Sequence, residues 1–96
     1  MIEPTVRLLH AMEKDKPTPE HRILILQKEI AQIGYRLVQA HRIPEDANLY
    51  MSDIDLEIGH AMVQLSLLAL DLGRVPEQCN YVGLHTTHEK LKEFWP

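Results

Sequence analysis

Apolar positions recur at helical intervals along most of the chain. Val6, Leu9 and Met12 predict a first helix from Thr5 to about Lys14. Asp15-Lys16-Pro17 breaks it. Thr18 suits an N-cap and Pro19 a first helical position, so a long helix is predicted over about 19–41. Its core stripe is Leu26, Ile30, Ile33 and Leu37, widened by Ile23, Leu24 and Val38. His41 and Arg42 suit its C-terminal end. Pro44 and Asp46-Ala47-Asn48 predict a loop from Ile43 to Met51. Ser52 is the next cap candidate, with Asp53 and Asp55 where negative charge is favoured. A second long helix is predicted over about 53–72, with Gly73 as its stop. Arg74 to Thr87 reads as irregular, and a short helix is expected over about 88–94. No stretch alternates with strand period. The expected fold class is therefore all-α, one domain over 1–96, with two long antiparallel helices and short flanking ones.

The second long helix changes the picture. Ile54, Ile58, Ala61, Met62, Leu65, Leu68, Ala69 and Leu72 form one face, while Leu56, Val63, Leu67 and Leu70 cover much of the rest. A helix apolar on nearly all sides needs cover on nearly all sides. Two long helices from one small chain do not supply it. A second copy would, giving a homodimer or homotetramer with a four-helix-type bundle core.

The chain has 96 residues, with 10 Lys+Arg against 14 Asp+Glu for a net charge of −4. The acidic balance argues against nucleic-acid binding by phosphate neutralisation. The longest apolar stretch, Ala61 to Leu70, is interrupted by Gln64 and Ser66 and is too short to span a bilayer. Met1-Ile2-Glu3-Pro4 lacks the basic start and apolar run of a signal peptide, and Cys79 has no cysteine partner. A cytoplasmic protein is the expectation.

Candidate chemistry sits on polar stripes. Asp53, Glu57, His60 and Gln64 share one narrow face of the second long helix. Arg22, Ile25, Glu29, Gln32 and Arg36 share a flank of the first. Two readings stand. In one, these are solvated stripes, with Glu57 and His60 as a surface pair and Glu29 beside Arg22 or Lys28. In the other, antiparallel packing brings Glu29 and Gln32 to face Glu57 and His60, as bundle interiors do to hold divalent metals. Carboxylates alone favour Mg²⁺ or Mn²⁺, and an added imidazole shifts preference towards Mn²⁺, Zn²⁺ or Fe²⁺.

Lys28-Glu29-Ile30-Ala31-Gln32-Ile33 followed by Leu56-Glu57-Ile58-Gly59-His60-Ala61 resembles the MazG-type all-α nucleoside-triphosphate pyrophosphohydrolases. That family carries Glu-x-x-Glu on one helix and Glu-x-x-Asp on the next, ahead of a long apolar run. Here the run is Met62 to Leu70, then Leu72-Gly73, and the similarity spans Ile23 to Gly73. The resemblance implies that four acids hold Mg²⁺ on a nucleoside triphosphate. It further implies cleavage between the α- and β-phosphates, releasing a monophosphate and pyrophosphate. It also implies subunits paired as dimers or tetramers. Glu29 and Glu57 match the motif, while Gln32 and His60 stand where the family has acids, and Lys28 precedes Glu29. The metal-ligand candidates are thus Glu29, Gln32, Glu57, His60 and Asp53, on Mg²⁺ or Mn²⁺ if a metal is bound at all. Glu29, Glu57 and His60 are the catalytic candidates. Arg36 is the phosphate-contact candidate, with Lys90 and Lys92 behind it. The alternative is a catalytically inactive interaction or assembly module of the same fold.

Other signals are weaker. His85 and His88 lack metalloprotease spacing, and a surface pair is expected. Cys79 reads as a buried or incidental thiol. Gly59 inside a buried helix suggests close helix approach. Phe94 and Trp95 are expected to dock on the body or on a partner subunit.

Overall fold

The computed structural model describes residues 4–94, and Trp95 lies outside them. The described chain is all-helical with no strand. The helices are α1 (Pro4–Met12), α2 (Pro19–Arg42), α3 (Ala47–Asp71) and α4 (Pro76–Phe94), with a 3₁₀ turn at Pro44–Asp46. Helix α2 begins as its sequence dictates. Thr18 Oγ1 accepts a hydrogen bond from the His21 amide at 3.1 Å, and Pro19 opens the first turn. Helix α3 ends equally clearly. Gly73 has φ +69°, the Arg74 amide donates to the Ala69 carbonyl at 2.8 Å and the Gly73 amide to Leu70 at 3.0 Å. That pair of bonds closes the helix in a Schellman motif, which glycine alone adopts without strain.

Two boundaries differ from the sequence reading. The expected loop from Ile43 to Met51 is the 3₁₀ turn followed by the first turn of α3, which starts at Ala47. Ser52 is therefore no cap. Its hydroxyl donates to the Asn48 carbonyl at 3.2 Å, an i−4 bond inside a helix. The expected irregular tail is also helical, since α4 runs unbroken from Pro76. Thr86 and Thr87 donate to the Val82 and Gly83 carbonyls, each at 2.8 Å, so polar residues that favour turns are absorbed by the helix itself.

Helices α2 and α3 pack antiparallel along their lengths. Arg22 near the start of α2 meets Asp71 at the end of α3, and Arg36 farther along α2 meets Glu57. The apolar core is small: Val6, Ile54, Ala61 and Leu67 are the buried apolar residues among those described. Arg22 is buried with them, at 2% exposure. Its guanidinium donates to Asp71 through Nε and to Glu13 Oε1 through Nη2 at 3.1 Å, while His10 Nε2 donates to Asp71 Oδ1 at 2.8 Å. One charged cluster thus fastens α1 and the α1–α2 connection to the α2–α3 pair. Burial alone pushes the Asp71 carboxyl up, but hydrogen bonds from Arg22 and His10 outweigh it and hold the group below the ordinary carboxylate range. Burial likewise pulls the Arg22 guanidinium down, and Asp71 and Glu13 more than offset this. Outside the cluster, Arg7 Nη2 ties α1 to the start of α4 through Glu77 Oε1 at 2.8 Å.

Removing one member of a buried ion cluster leaves the others uncompensated. Asp71→Ala is expected to cost about 3–5 kcal/mol, read as a lower urea midpoint. The sign of the pH dependence follows from the lowered carboxyl. Its contribution is complete above about pH 4, the unfolded value, and is lost as pH falls through the folded one. Wild-type stability should therefore fall more steeply in acid than that of Asp71→Ala. Parallel acid limbs would contradict this.

Candidate functional site

The two α2–α3 ion pairs share one register, which orders the candidate residues along the helix pair. Arg36 and Glu57 stand level at one end, Gln32 and His60 in the middle, and Glu29 and Gln64 at the other. Glu29 and Glu57 are therefore about two helical turns apart, roughly 10 Å along the axis at 1.5 Å per residue.

The Glu57 end is the most organised. Arg36 Nε lies 3.5 Å from Glu57 Oε1 and 3.9 Å from Asp53 Oδ2. Two carboxylates one turn apart on α3 thus converge on a single cation from α2. The Arg36 guanidinium also lies 5.9 Å from the centroid of the Tyr35 ring. Neither charge contact is a hydrogen bond. Arg36 Nε, Glu57 Oε2 and Glu29 Oε2 are all buried atoms without a hydrogen-bond partner. Buried, unsatisfied carboxylate oxygens are costly, so a fold that keeps two of them on facing helices needs a reason.

The middle and far end are more open. Gln32 and His60 are exposed, and His60 makes no hydrogen bond or ion pair within the described chain. Gln64 Oε1 accepts from Arg22 at 3.4 Å, so that residue belongs with the buried cluster. Arg22 is accordingly no partner for Glu29, which corrects the surface pairing weighed from sequence. No group of three or more His, Cys, Asp or Glu side chains among the described residues is placed to hold a metal. Among the described residues no cage of such side chains is assembled around one ion. What fits is narrower. The paired Asp53 and Glu57, and separately Glu29, offer single carboxylates of the kind that meet a Mg²⁺ carried by a polyphosphate and retaining its waters.

Several secondary readings settle on α4 and around it. His85 stacks on Tyr81 with centroids 6.0 Å apart and planes 12° from parallel, as an i,i+4 pair on one helix. Lys92 pairs with Glu89 at 3.3 Å. Cys79 is free and exposed, not buried. Phe94 is 75% exposed and does not dock on the body. A Cβ at Gly59 would meet nothing within 4 Å, so no close helix approach occurs there among the described residues. The charged cluster of Arg22, Asp71, Glu13 and His10 escaped sequence reasoning. Asp71, a lone acid ending an apolar run, and Glu13, just past the first helix, were its only signals.

No family model, curated protein or solved structure matches this chain.

The unsatisfied oxygens give a direct test. Replacing Glu29 by an apolar side chain of similar length removes a buried acceptor that has no donor. Glu29→Met is expected to raise stability by about 1 kcal/mol, seen as a higher melting temperature. A loss of stability instead would show that Glu29 is held by interactions within the folded chain.

Proposed function

We propose that the chain is a divergent MazG-type nucleotide pyrophosphohydrolase that works as a homo-oligomer and takes a nucleoside triphosphate with its divalent ion on the α2–α3 face. The reading rests on the sequence resemblance around Glu29 and Glu57. The observation that carries it is the convergence of Asp53 and Glu57 on Arg36, with carboxylate oxygens of Glu57 and Glu29 buried and unsatisfied.

In this reading Asp53 and Glu57 would meet a Mg²⁺ or Mn²⁺ carried by the nucleotide, and Glu29, about two helical turns away, would meet a second such ion on the same ligand. When bound, such an ion neutralises phosphate oxygens and makes phosphorus easier to attack. The rest is the work of side chains. Arg36, with its Nε unsatisfied in the free chain, turns from Glu57 to a phosphate oxygen. Gln32 presents an amide at the level between the carboxylates. His60, exposed and unpaired beside Glu57, accepts the proton of the water that attacks the α-phosphorus. The bond to the bridging oxygen breaks, and pyrophosphate leaves.

A second reading has its own support. Exposed Gln32 and His60, together with broad apolar exposure on α3, suit an assembly module that keeps the fold without the chemistry. One experiment separates the two. The protein is incubated with each nucleoside triphosphate and Mg²⁺ or Mn²⁺, and pyrophosphate is assayed. The hydrolase reading expects release that falls at least about 100-fold in Glu57→Gln, the loss typical when a transition-state contact is removed. The absence of release with every nucleotide, together with no metal-dependent shift in melting temperature, would overturn it and leave the module.

A further inference from the structure

Helix α4 has no buried residue. Its apolar side chains nonetheless form a seam. Tyr81, Leu84 and Leu91, with His88 between the last two and Phe94 beyond, follow one another at intervals of three and four. Leu84 is 64% exposed and Leu91 43%. A second seam runs along the outer side of α3 and its cap, through Ile58, Met62, Leu65, Ala69 and Leu72, likewise at intervals of three and four. Most of that seam, with Val6 from α1, lines an open apolar groove of about 730 Å³ beside the α3–α4 elbow. Met62 is 63% exposed there. The two seams are equally long, roughly 20 Å at 1.5 Å per residue. They cannot cover each other within one chain, because α4 leaves α3 at 109°.

The missing cover has a measurable size. The chain exposes 7611 Å². A compact monomer of 11.1 kDa exposes about 5,700 Å² by mass scaling, leaving an excess of about 2,000 Å². The radius of gyration, 16.5 Å, likewise exceeds the roughly 12.5 Å of a compact domain this long. Obligate homodimers bury about 1,000–2,500 Å² per subunit, a range that contains the excess.

We infer that the partner of this surface is a second copy of the chain, and that the two copies exchange α4: each lays its Tyr81–Leu84–Leu91 seam into the Met62–Leu65–Leu72 groove of the other. The inference rests on the self-association proposed above and specifies its geometry. Such an exchange is self-complementary, as a two-fold dimer requires. It turns two exposed seams per chain into two buried helix pairs. Gly73 fixes the elbow and the Arg7–Glu77 pair holds the root of α4, so the helix is presented outward.

The test uses the full chain, with mass read by light scattering during size-exclusion chromatography and helix content by circular dichroism. Wild type is expected at twice 11.1 kDa. The double variants Leu84→Glu/Leu91→Glu and Met62→Lys/Leu65→Lys are each expected to run as helical single chains. Mixing them in equal amounts is expected to restore the dimer, because one arm is then fully wild type and the other pairs glutamates with lysines. Val82→Glu, on the opposite side of α4, is expected to stay dimeric. A monomeric wild type would overturn self-association altogether, including one that instead sediments with lipid vesicles. A dimer that survives Leu84→Glu/Leu91→Glu would overturn the exchange alone, leaving α3 to pair with α3. Failure of the mixed variants to reassociate would overturn it as well.

Discussion

The buried Arg22 guanidinium is the constraint on which the arrangement depends. With only four buried apolar residues described, the core cannot by itself fix how three helices meet. Arg22 does so by chemistry. It comes from the first turns of α2, reaches Asp71 in the last turn of α3 and Glu13 just after α1, while His10 of α1 completes Asp71. A charge removed from water tolerates few geometries, so this cluster sets the α2–α3 register as well as the seat of α1. A one-turn slip between the long helices would strand a guanidinium and a carboxylate in an apolar interior. The same register brings Arg36 to Asp53 and Glu57 at the other end of the pair. The candidate site therefore inherits its alignment from an ion cluster about 20 Å away along the helices, at 1.5 Å per residue.

The two clusters are chemically opposite. Around Arg22 each charge has close partners. Around Arg36 the contacts are longer, and three buried polar atoms on Arg36, Glu57 and Glu29 find no hydrogen bond. A fold that satisfies one set of buried charges and leaves the other unsatisfied has spent stability at the second place. Such concessions gather where a ligand is to bind. This contrast, more than any one residue, supports reading the α2–α3 face as a site. The neutral Gln32 and exposed His60 lie between the carboxylates and add no negative charge there. That suits an ion arriving with its own phosphates better than a bare ion held by protein alone.

Much of the fold was legible in the sequence, for local reasons. Thr18-Pro19 and Gly73 set helix ends through capping and backbone geometry that act within a few residues, and the structure uses each as expected. The failures were also local signals, overridden by their surroundings. Asp46-Ala47-Asn48 reads as a loop, yet a short 3₁₀ turn leads straight into α3 and leaves Ser52 inside it. Arg74 to Thr87 reads as irregular, yet the hydroxyls of Thr86 and Thr87 bond back to the helix and α4 runs through it. Of the site, the stripes on each helix were legible from periodicity, and so was Arg36 beside them. The partners of Arg22 were not, because Asp71 lies 49 positions away and periodicity says nothing about which polar residues meet across helices. The all-round apolar character of α3 was legible too, and its exposed outer seam is what remains of it in a single chain.

In the function proposed above, the α2–α3 face takes a nucleoside triphosphate together with its divalent ion. Calorimetric titration of a non-hydrolysable triphosphate analogue into the protein, with and without Mn²⁺, tests it most directly. Saturable binding is expected only when both are present, and Glu57→Gln is expected to abolish it. Equal absence of binding in both titrations, or binding that Glu57→Gln leaves unchanged, would contradict it.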